Sequence, residues 1–531
     1  MNSMQNVSKP KPRVKTALFA TASLITALSI AERALGFLYR VVLSRLIGAE
    51  GMGIYQVSLS VFSVFLTIGT GGIPITVSRL MAKSKAESRP QDAKNSVGAG
   101  LLLSLILTLP VAVVLLIFPQ IVSFLFSDIR CLPVFRILML GLVFSTVFAV
   151  LRGSFWGNKN FLLPALLEMA EEIVMVIVGV LLLQNVTDTE TATRFASWAV
   201  VISYFFSFTL SSLFFLFTGG KIGNPKPQLK PLFTSTLPIT SVRAGGSLVN
   251  SAVAVLLPVM LVKTGLSQSK AIELFGAVSG MAMPVLFIPS TVIGSLSLVL
   301  VPELAEDFYK KNVKRLYQNL MRGITVSLLI ACFLTPFFYV VGEELGYVAF
   351  SNRLAGECIR KGCPILLPMS LTMITTGMLN SMGFEKQTFL YYFLSAGALL
   401  LCILFLPRFL GVYAYVAGMI ACFSVNAVCN LVLLAKKCPS LFKTTFRKNP
   451  KIVRSLALGV ITVLPVSLLG ALCKTFFSQV LGEVLSLICT GACVAVINVV
   501  VFLVIGAIPI PAFFRKNPRK TAKKCVNFGY F

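Results

Sequence analysis

The sequence predicts an all-α polytopic membrane protein, and three observations predict it. Hydrophobic residues make up 56% of the 531 and charged residues only 12%, where a soluble domain of this size carries about 25% charged residues. The apolar residues fall in blocks of about 20, the length at which a helix crosses a ~30 Å hydrocarbon core. Runs such as Leu101-Leu102-Leu103 and Val499-Val500-Val501 do not alternate with polar residues, as the strands of a membrane β-barrel would. In lipid the backbone must satisfy its own hydrogen bonds, so these blocks read as helices.

Fourteen spans follow in order. The first six are 17–41, 54–80, 96–118, 131–151, 161–183 and 195–218. The next six are 232–262, 272–301, 319–341, 362–383, 388–407 and 411–435, and the last two are 452–473 and 485–508. The opening apolar stretch is too long for a cleavable signal and leads into charged residues rather than a small-residue cleavage site.

The net charge of +28 raises nucleic acid as a partner, and its distribution argues against it. With the N-terminus inside, the segments facing the cytoplasm hold 33 Lys and Arg and the opposite side 12, Arg33 and Arg243 lying within spans. This is the positive-inside pattern. It places both termini in the cytoplasm and agrees with an even number of spans. The basic segments then face anionic headgroups of the membrane.

The chain has no His, and its 12 Cys include no C-x-x-C pair, so neither a zinc nor a haem site is expected. No other cofactor is expected. Cys358 and Cys363 share a predicted outer loop, where unpaired thiols are the expectation and a disulfide the alternative. Without His there is no Ser-His-Asp arrangement, and there is no G-x-x-x-x-G-K-[ST]. The sequence is therefore not read as an enzyme.

Gly219-Gly220-Lys221-Ile222-Gly223-Asn224-Pro225-Lys226-Pro227 reads as a linker. It divides the first twelve spans into two sets of six, 1–222 and 223–440. Helices 13 and 14 follow within 441–510, and a basic cytoplasmic tail occupies 511–531. Six spans return the chain to its starting side, so the two sets would be parallel repeats forming pseudosymmetric lobes. Gly72-Ile73-Pro74 in the second span and Ile288-Pro289-Ser290 in the eighth echo each other. Each follows an intramembrane arginine, Arg33 or Arg243, by about 40–50 residues.

Charges at bilayer depth cost at least ~2.5–3.5 kcal/mol and normally face a polar cavity or a partner. Arg33 and Arg40 are seven residues apart and share one helix face. Arg243 lies at the corresponding place in the second set. The guanidinium is a forked, permanently charged donor suited to phosphate, including a pyrophosphate headgroup. Two readings are open: a cationic chamber between the halves, or a structural lock in which Arg33 pairs with Glu32 or a glutamate of the fifth span. Glu168, Glu171 and Glu172 crowd one turn of that span. Three carboxylates so close should not all ionise in low dielectric, which suits proton coupling; pairing with the arginines is the equal alternative. Pro74 and Pro289 are candidate hinges, or static bends.

Glu32-Arg33-Ala34-Leu35-Gly36-Phe37-Leu38-Tyr39-Arg40, with Ser44-Arg45-Leu46-Ile47-Gly48 and Gly51-Met52-Gly53-Ile54-Tyr55-Gln56 beyond it, resembles the opening of the polysaccharide and lipid-linked oligosaccharide exporters. Gly72-Ile73-Pro74 through Ser78-Arg79-Leu80, and Arg152-Gly153-Ser154-Phe155-Trp156-Gly157 followed by Pro164 and Glu171, fit the same families. The chain looks most like the stage V sporulation protein B branch of the multidrug/oligosaccharidyl-lipid/polysaccharide superfamily. That branch is related to the MurJ-type lipid II flippases and, more distantly, to multidrug and toxin extruders. The resemblance implies two lobes around a central cavity and flipping of an undecaprenyl-linked saccharide, lipid II first among them, across the bacterial cytoplasmic membrane. It implies cavity arginines at Arg33, Arg40, Arg79 and Arg243, and membrane lipids and cell-wall synthases as partners. Another lipid-linked polysaccharide precursor, or drugs exported by ion coupling, are the alternatives. One residue departs from the flippase pattern, which has its second arginine where this chain has Tyr39, one step before Arg40.

Overall fold

The computed structural model describes residues 12–437, 458–480 and 482–504. Among them every regular element is helical. Helix α1 (Pro12–Thr70) is broken at Gly48, whose φ of 69° and ψ of −176° are open to glycine and strained for any residue with a Cβ. It is thus two helical arms. Gly71 and Gly72 then interrupt the chain, and α2 (Ile73–Ala86) starts with Pro74 in its first turn. There the missing N–H costs nothing. Helix α3 (Pro90–Ile117) is followed by a 3-10 segment, Pro119–Leu125.

Next come α4 (Cys131–Gly157), α5 (Leu162–Leu183) and α6 (Thr189–Phe217), the last capped by Asp188 accepting from the Thr191 N–H at 2.8 Å. Helix α7 (Lys226–Lys263) carries Pro231, Pro238 and Pro258 in its interior. Helix α8 (Gln268–Phe275) runs through a π-helical stretch, Gly276–Ala282, into α9 (Met283–Tyr309), with Pro289 inside it.

The remaining helices are α10 (Val313–Phe350), α11 (Arg353–Gly362), α12 (Leu366–Ser381), α13 (Glu385–Phe405), α14 (Pro407–Leu410), α15 (Tyr413–Lys437), α16 (Val463–Val480) and α17 (Glu483–Val504). The basic segment beyond Lys437 and the tail 511–531 lie outside the described residues.

Among the described residues twelve stretches, rather than fourteen, are individually long and apolar enough to cross a membrane. Both differences have local causes. The first two expected spans fall in one apolar stretch, Leu24–Ala86, bent at Gly48 between them. The fifth expected span is the 22-residue α5, whose three glutamates dilute an otherwise apolar sequence. One expectation is corrected. The outer loop foreseen around Cys358 and Cys363 is instead α11, capped by Asn352 accepting from the Ala355 N–H at 2.9 Å. Both cysteines are free thiols, buried in the fold. A polar, amphipathic helix leaves no apolar run by which to find it.

The chain packs as two compact units. Among the described residues, the first comprises 12–284 and 402–414, and the second 285–401, 415–437, 458–480 and 482–504. The core of the first gathers Ile73 and Val77 of α2, Val97 and Leu103 of α3, Phe148 and Phe155 of α4, and Leu232 of α7. Helix α7, which follows the Gly/Pro linker, therefore packs within the first unit, against α1, α2 and α3. The second unit has one core around Leu304, Leu320, Ile374, Met378 and Leu434. A smaller core joins Val340 and Val341 of α10 to Val466 of α16 and Val494 of α17. Lys474 of α16 reinforces it by reaching Glu344 of α10 at 2.6 Å.

Candidate functional site

Helix α1 meets α5 through two glycines. A Cβ at Gly36 would stand 2.8 Å from Oε1 of Glu172, and one at Gly179 would stand 2.4 Å from the Tyr39 hydroxyl. Gly179 lies seven residues after Glu172, two helical turns along the same face. At Gly179 a side chain would run into the Tyr39 ring, whereas at Gly36 it would meet only the movable end of Glu172. Tyr39, at the place of the flippase pattern's second arginine, is 4% exposed, and its hydroxyl has no hydrogen-bond partner among the described residues. Arg40 is half-buried, within electrostatic reach of Tyr55 and Glu172.

The three glutamates of α5 turn to three different neighbours. Glu168 forms an ion pair with Arg152 of α4. The Arg152 guanidinium also lies over the rings of Phe148 (5.9 Å) and Trp156 (5.3 Å), four residues before and after it on one helix face. Glu171 accepts a hydrogen bond from the Ser207 hydroxyl of α6, and Glu172 faces Gly36 of α1. Carboxylates partly withdrawn from water need such partners, because an uncompensated charge in low dielectric is costly. Spacing along α5 could not reveal this division, since it fixes which residues share a face but not what lies opposite.

Arg33, Arg79 and Arg243 are exposed. Together with Arg40 they lie on α1, α2 and α7, three helices that pack against one another in the first unit. The α1–α7 contact is fixed by Thr67 and Ser247, whose hydroxyls are 2.7 Å apart. Ser247 is one turn beyond Arg243. None of the four arginines forms a salt bridge among the described residues. Pro74 is held where α2 begins, with Gly153 of α4 so close that a Cβ there would be 2.6 Å from the Pro74 carbonyl oxygen. Pro289 lies within α9, in the second unit.

Sequence reasoning missed two groups. Arg152 was legible only as part of a motif, although it is a cation within a helix next to the glutamate-bearing one. The other is a cluster beside the Gly48 break in α1: Arg130 forks onto Asp128, with Nε at 3.1 Å and Nη2 at 2.7 Å, and Nη2 also reaches Glu50 at 2.7 Å. Glu50 accepts from Ser269 as well. Burial works against the charge on Asp128, but the side-chain and backbone hydrogen bonds from Arg130 outweigh it. They hold the carboxyl below the usual carboxylate range.

A profile of the family described as polysaccharide biosynthesis protein matches residues 18–308, more than half of the chain. The chain belongs to this family. Among curated proteins it is 26% identical over 368 residues to stage V sporulation protein B of Bacillus subtilis (strain 168), covering 66% of this chain and 70% of the relative. It is 21% identical over 411 residues to the lipid II flippase MurJ of the same organism, covering 71% and 74%. Among solved structures, a lipid II flippase MurJ in an inward closed conformation aligns with a TM-score of 0.66 at 14% identity, over 90% of this chain and 98% of that one. An inward-facing multidrug resistance MATE family transporter aligns with a TM-score of 0.63 at 15% identity, over 78% and 96%. This member of the polysaccharide biosynthesis family is thus an all-α, multi-pass membrane protein of the branch that contains stage V sporulation protein B and MurJ. The matched region contains nearly all of α1, α2 to α8 and nearly all of α9, and so every arginine and glutamate of the site described in this subsection.

Proposed function

We propose that this family member is a flippase that moves an undecaprenyl-pyrophosphate-linked saccharide across the bacterial cytoplasmic membrane by alternating access. Lipid II is the substrate we favour, with fourteen spans in two six-helix lobes plus two, and both termini in the cytoplasm. The observation that carries the proposal is the set Arg33, Arg40, Arg79 and Arg243 on three mutually packed helices, without salt bridges among the described residues. Unpaired guanidinium groups in membrane helices are costly, on the order of 2.5–3.5 kcal/mol each at the bilayer centre. A pyrophosphate offers oxygens for several such forks at once. Likeness to proteins named for sporulation and for lipid II flipping supports the coarser reading, a flippase for a lipid-linked polysaccharide precursor.

A drug exporter is the second reading, favoured by the likeness in fold to the MATE transporter. Cationic drugs call for an acidic cavity. Here the glutamates of α5 are turned onto α1, α4 and α6, while the exposed charges are arginines. Reconstitution with fluorescent lipid II and with unrelated undecaprenyl-linked sugars tests the proposal. Flipping of lipid II alone supports the finer reading, and flipping of another sugar in its place corrects the substrate. Export of a cationic dye without flipping of any sugar favours the second reading.

A further inference from the structure

The first unit carries a groove of about 850 Å³ that the proposed transport does not use. It lies where the end of α3 and the following 3-10 segment meet the first turns of α4 and α6. Ile117, Ile137 and Leu140 give it an apolar floor; Arg136, Arg194 and Trp198 complete the lining. Helices α4 and α6 begin at the same membrane face, with α5 returning between them. Arg136 and Arg194 are each five residues into their helix, roughly 7–8 Å along it. Trp198 is one turn deeper than Arg194, on the same face. Leu140 is likewise one turn deeper than Arg136, so the two cations stand nearer the water than Trp198 and Leu140, with Ile117 and Ile137 beside them; cation, indole and aliphatic side chain together are the composition of a membrane interface.

Arg194 has a carboxylate partner one turn above it, Glu190. Arg136 is exposed and forms no ion pair or hydrogen bond among the described residues. The groove therefore has one uncompensated positive charge at headgroup depth. Ile117 (60% exposed) and Trp198 (38%) lie open beside it, surface that favours an apolar chain over water. We propose that this groove binds one anionic glycerophospholipid, its phosphodiester on Arg136 and Arg194 and one acyl chain along Ile117, Ile137 and Leu140. The charge decides the class: a headgroup with a net charge of −1 matches the free cation, while a zwitterionic headgroup adds a cation of its own.

The chain has only two tryptophans, so Trp156→Phe leaves Trp198 as the sole emitter. Phosphatidylglycerol with brominated acyl chains, added to this protein in detergent, should quench Trp198 at lower concentration than brominated phosphatidylcholine. Arg136→Ala should raise the half-quenching concentration roughly fivefold, the effect of one cation near a membrane surface. Lys263→Ala, the same charge change at the end of α7, should leave it unchanged. Equal quenching by the two lipids overturns the proposal without any appeal to a variant. So does an equal loss in Lys263→Ala, or displacement of phosphatidylglycerol by undecaprenyl phosphate at lower concentration, which assigns the groove to a polyprenyl lipid.

Discussion

Arg152 of α4 and Glu168 of α5 form an ion pair in the first unit, with the guanidinium lying over Phe148 and Trp156. Both side chains are partly buried, so removing one partner is destabilising, because the other charge remains uncompensated. Arg152→Ala should therefore lower stability by about 1–3 kcal/mol, between the cost for an exposed and for a buried pair. Adding Glu168→Gln to it should restore much of the loss, since the stranded charge goes with it. Thermal melting of the detergent-solubilised variants checks this; a double variant no more stable than Arg152→Ala would assign the loss to the aromatic contacts instead.

Asp128 and Arg130 give a pH signature. The carboxyl of Asp128 is held below its ordinary value. Its contribution to stability is complete above the unfolded value of about 3.9 and is lost as pH falls through the lower folded one. Arg130→Gln should thus melt at lower temperature than the unaltered protein at pH 7, and the gap should narrow towards pH 3. A gap that is the same at both pH values would show that the hydrogen bonds of Arg130, rather than the ionisation of Asp128, carry the stability.

The α5 glutamates differ in partner, and their variants should differ accordingly. Glu168 is matched by Arg152, while Glu171 meets a serine hydroxyl and Glu172 faces a glycine. Replacing Glu171 or Glu172 by Gln, a neutral mimic, should remove the pH dependence of flipping in at least one case while lipid binding persists. Normal pH dependence in both single variants and in the triple Gln variant would remove the cluster from coupling and leave it a device for pairing helices.

Much of the fold was legible because apolar run length reports membrane helices directly: the span expected at 161–183 is helix Leu162–Leu183. What the sequence did not reveal depended on neighbours. Helix α11 is too polar to stand out. At the site, the charged residues were visible as exceptions in apolar helices. Their partners were not. Arg152 for Glu168, Ser207 for Glu171 and Gly36 for Glu172 come from helices that only packing brings together.

Orientation follows from the distribution of Lys and Arg, 33 against 12. Reporters fused after Lys524 and within 223–231 should both read cytoplasmic. An external signal from either would reverse the assigned topology, and with it the leaflet onto which the Arg136 groove opens.

Flipping of fluorescent lipid II in proteoliposomes, with Arg33 and Arg243 varied, is the most direct measurement of the proposed activity. The unaltered protein should move the lipid between leaflets. Arg33→Ala and Arg243→Ala should abolish that movement while remaining inserted and melting normally, and Lys at either position should restore only part of it, because the forked donor is lost. Undiminished flipping by folded alanine variants, or no flipping of any undecaprenyl-linked saccharide by the unaltered protein, would contradict a headgroup held by these arginines.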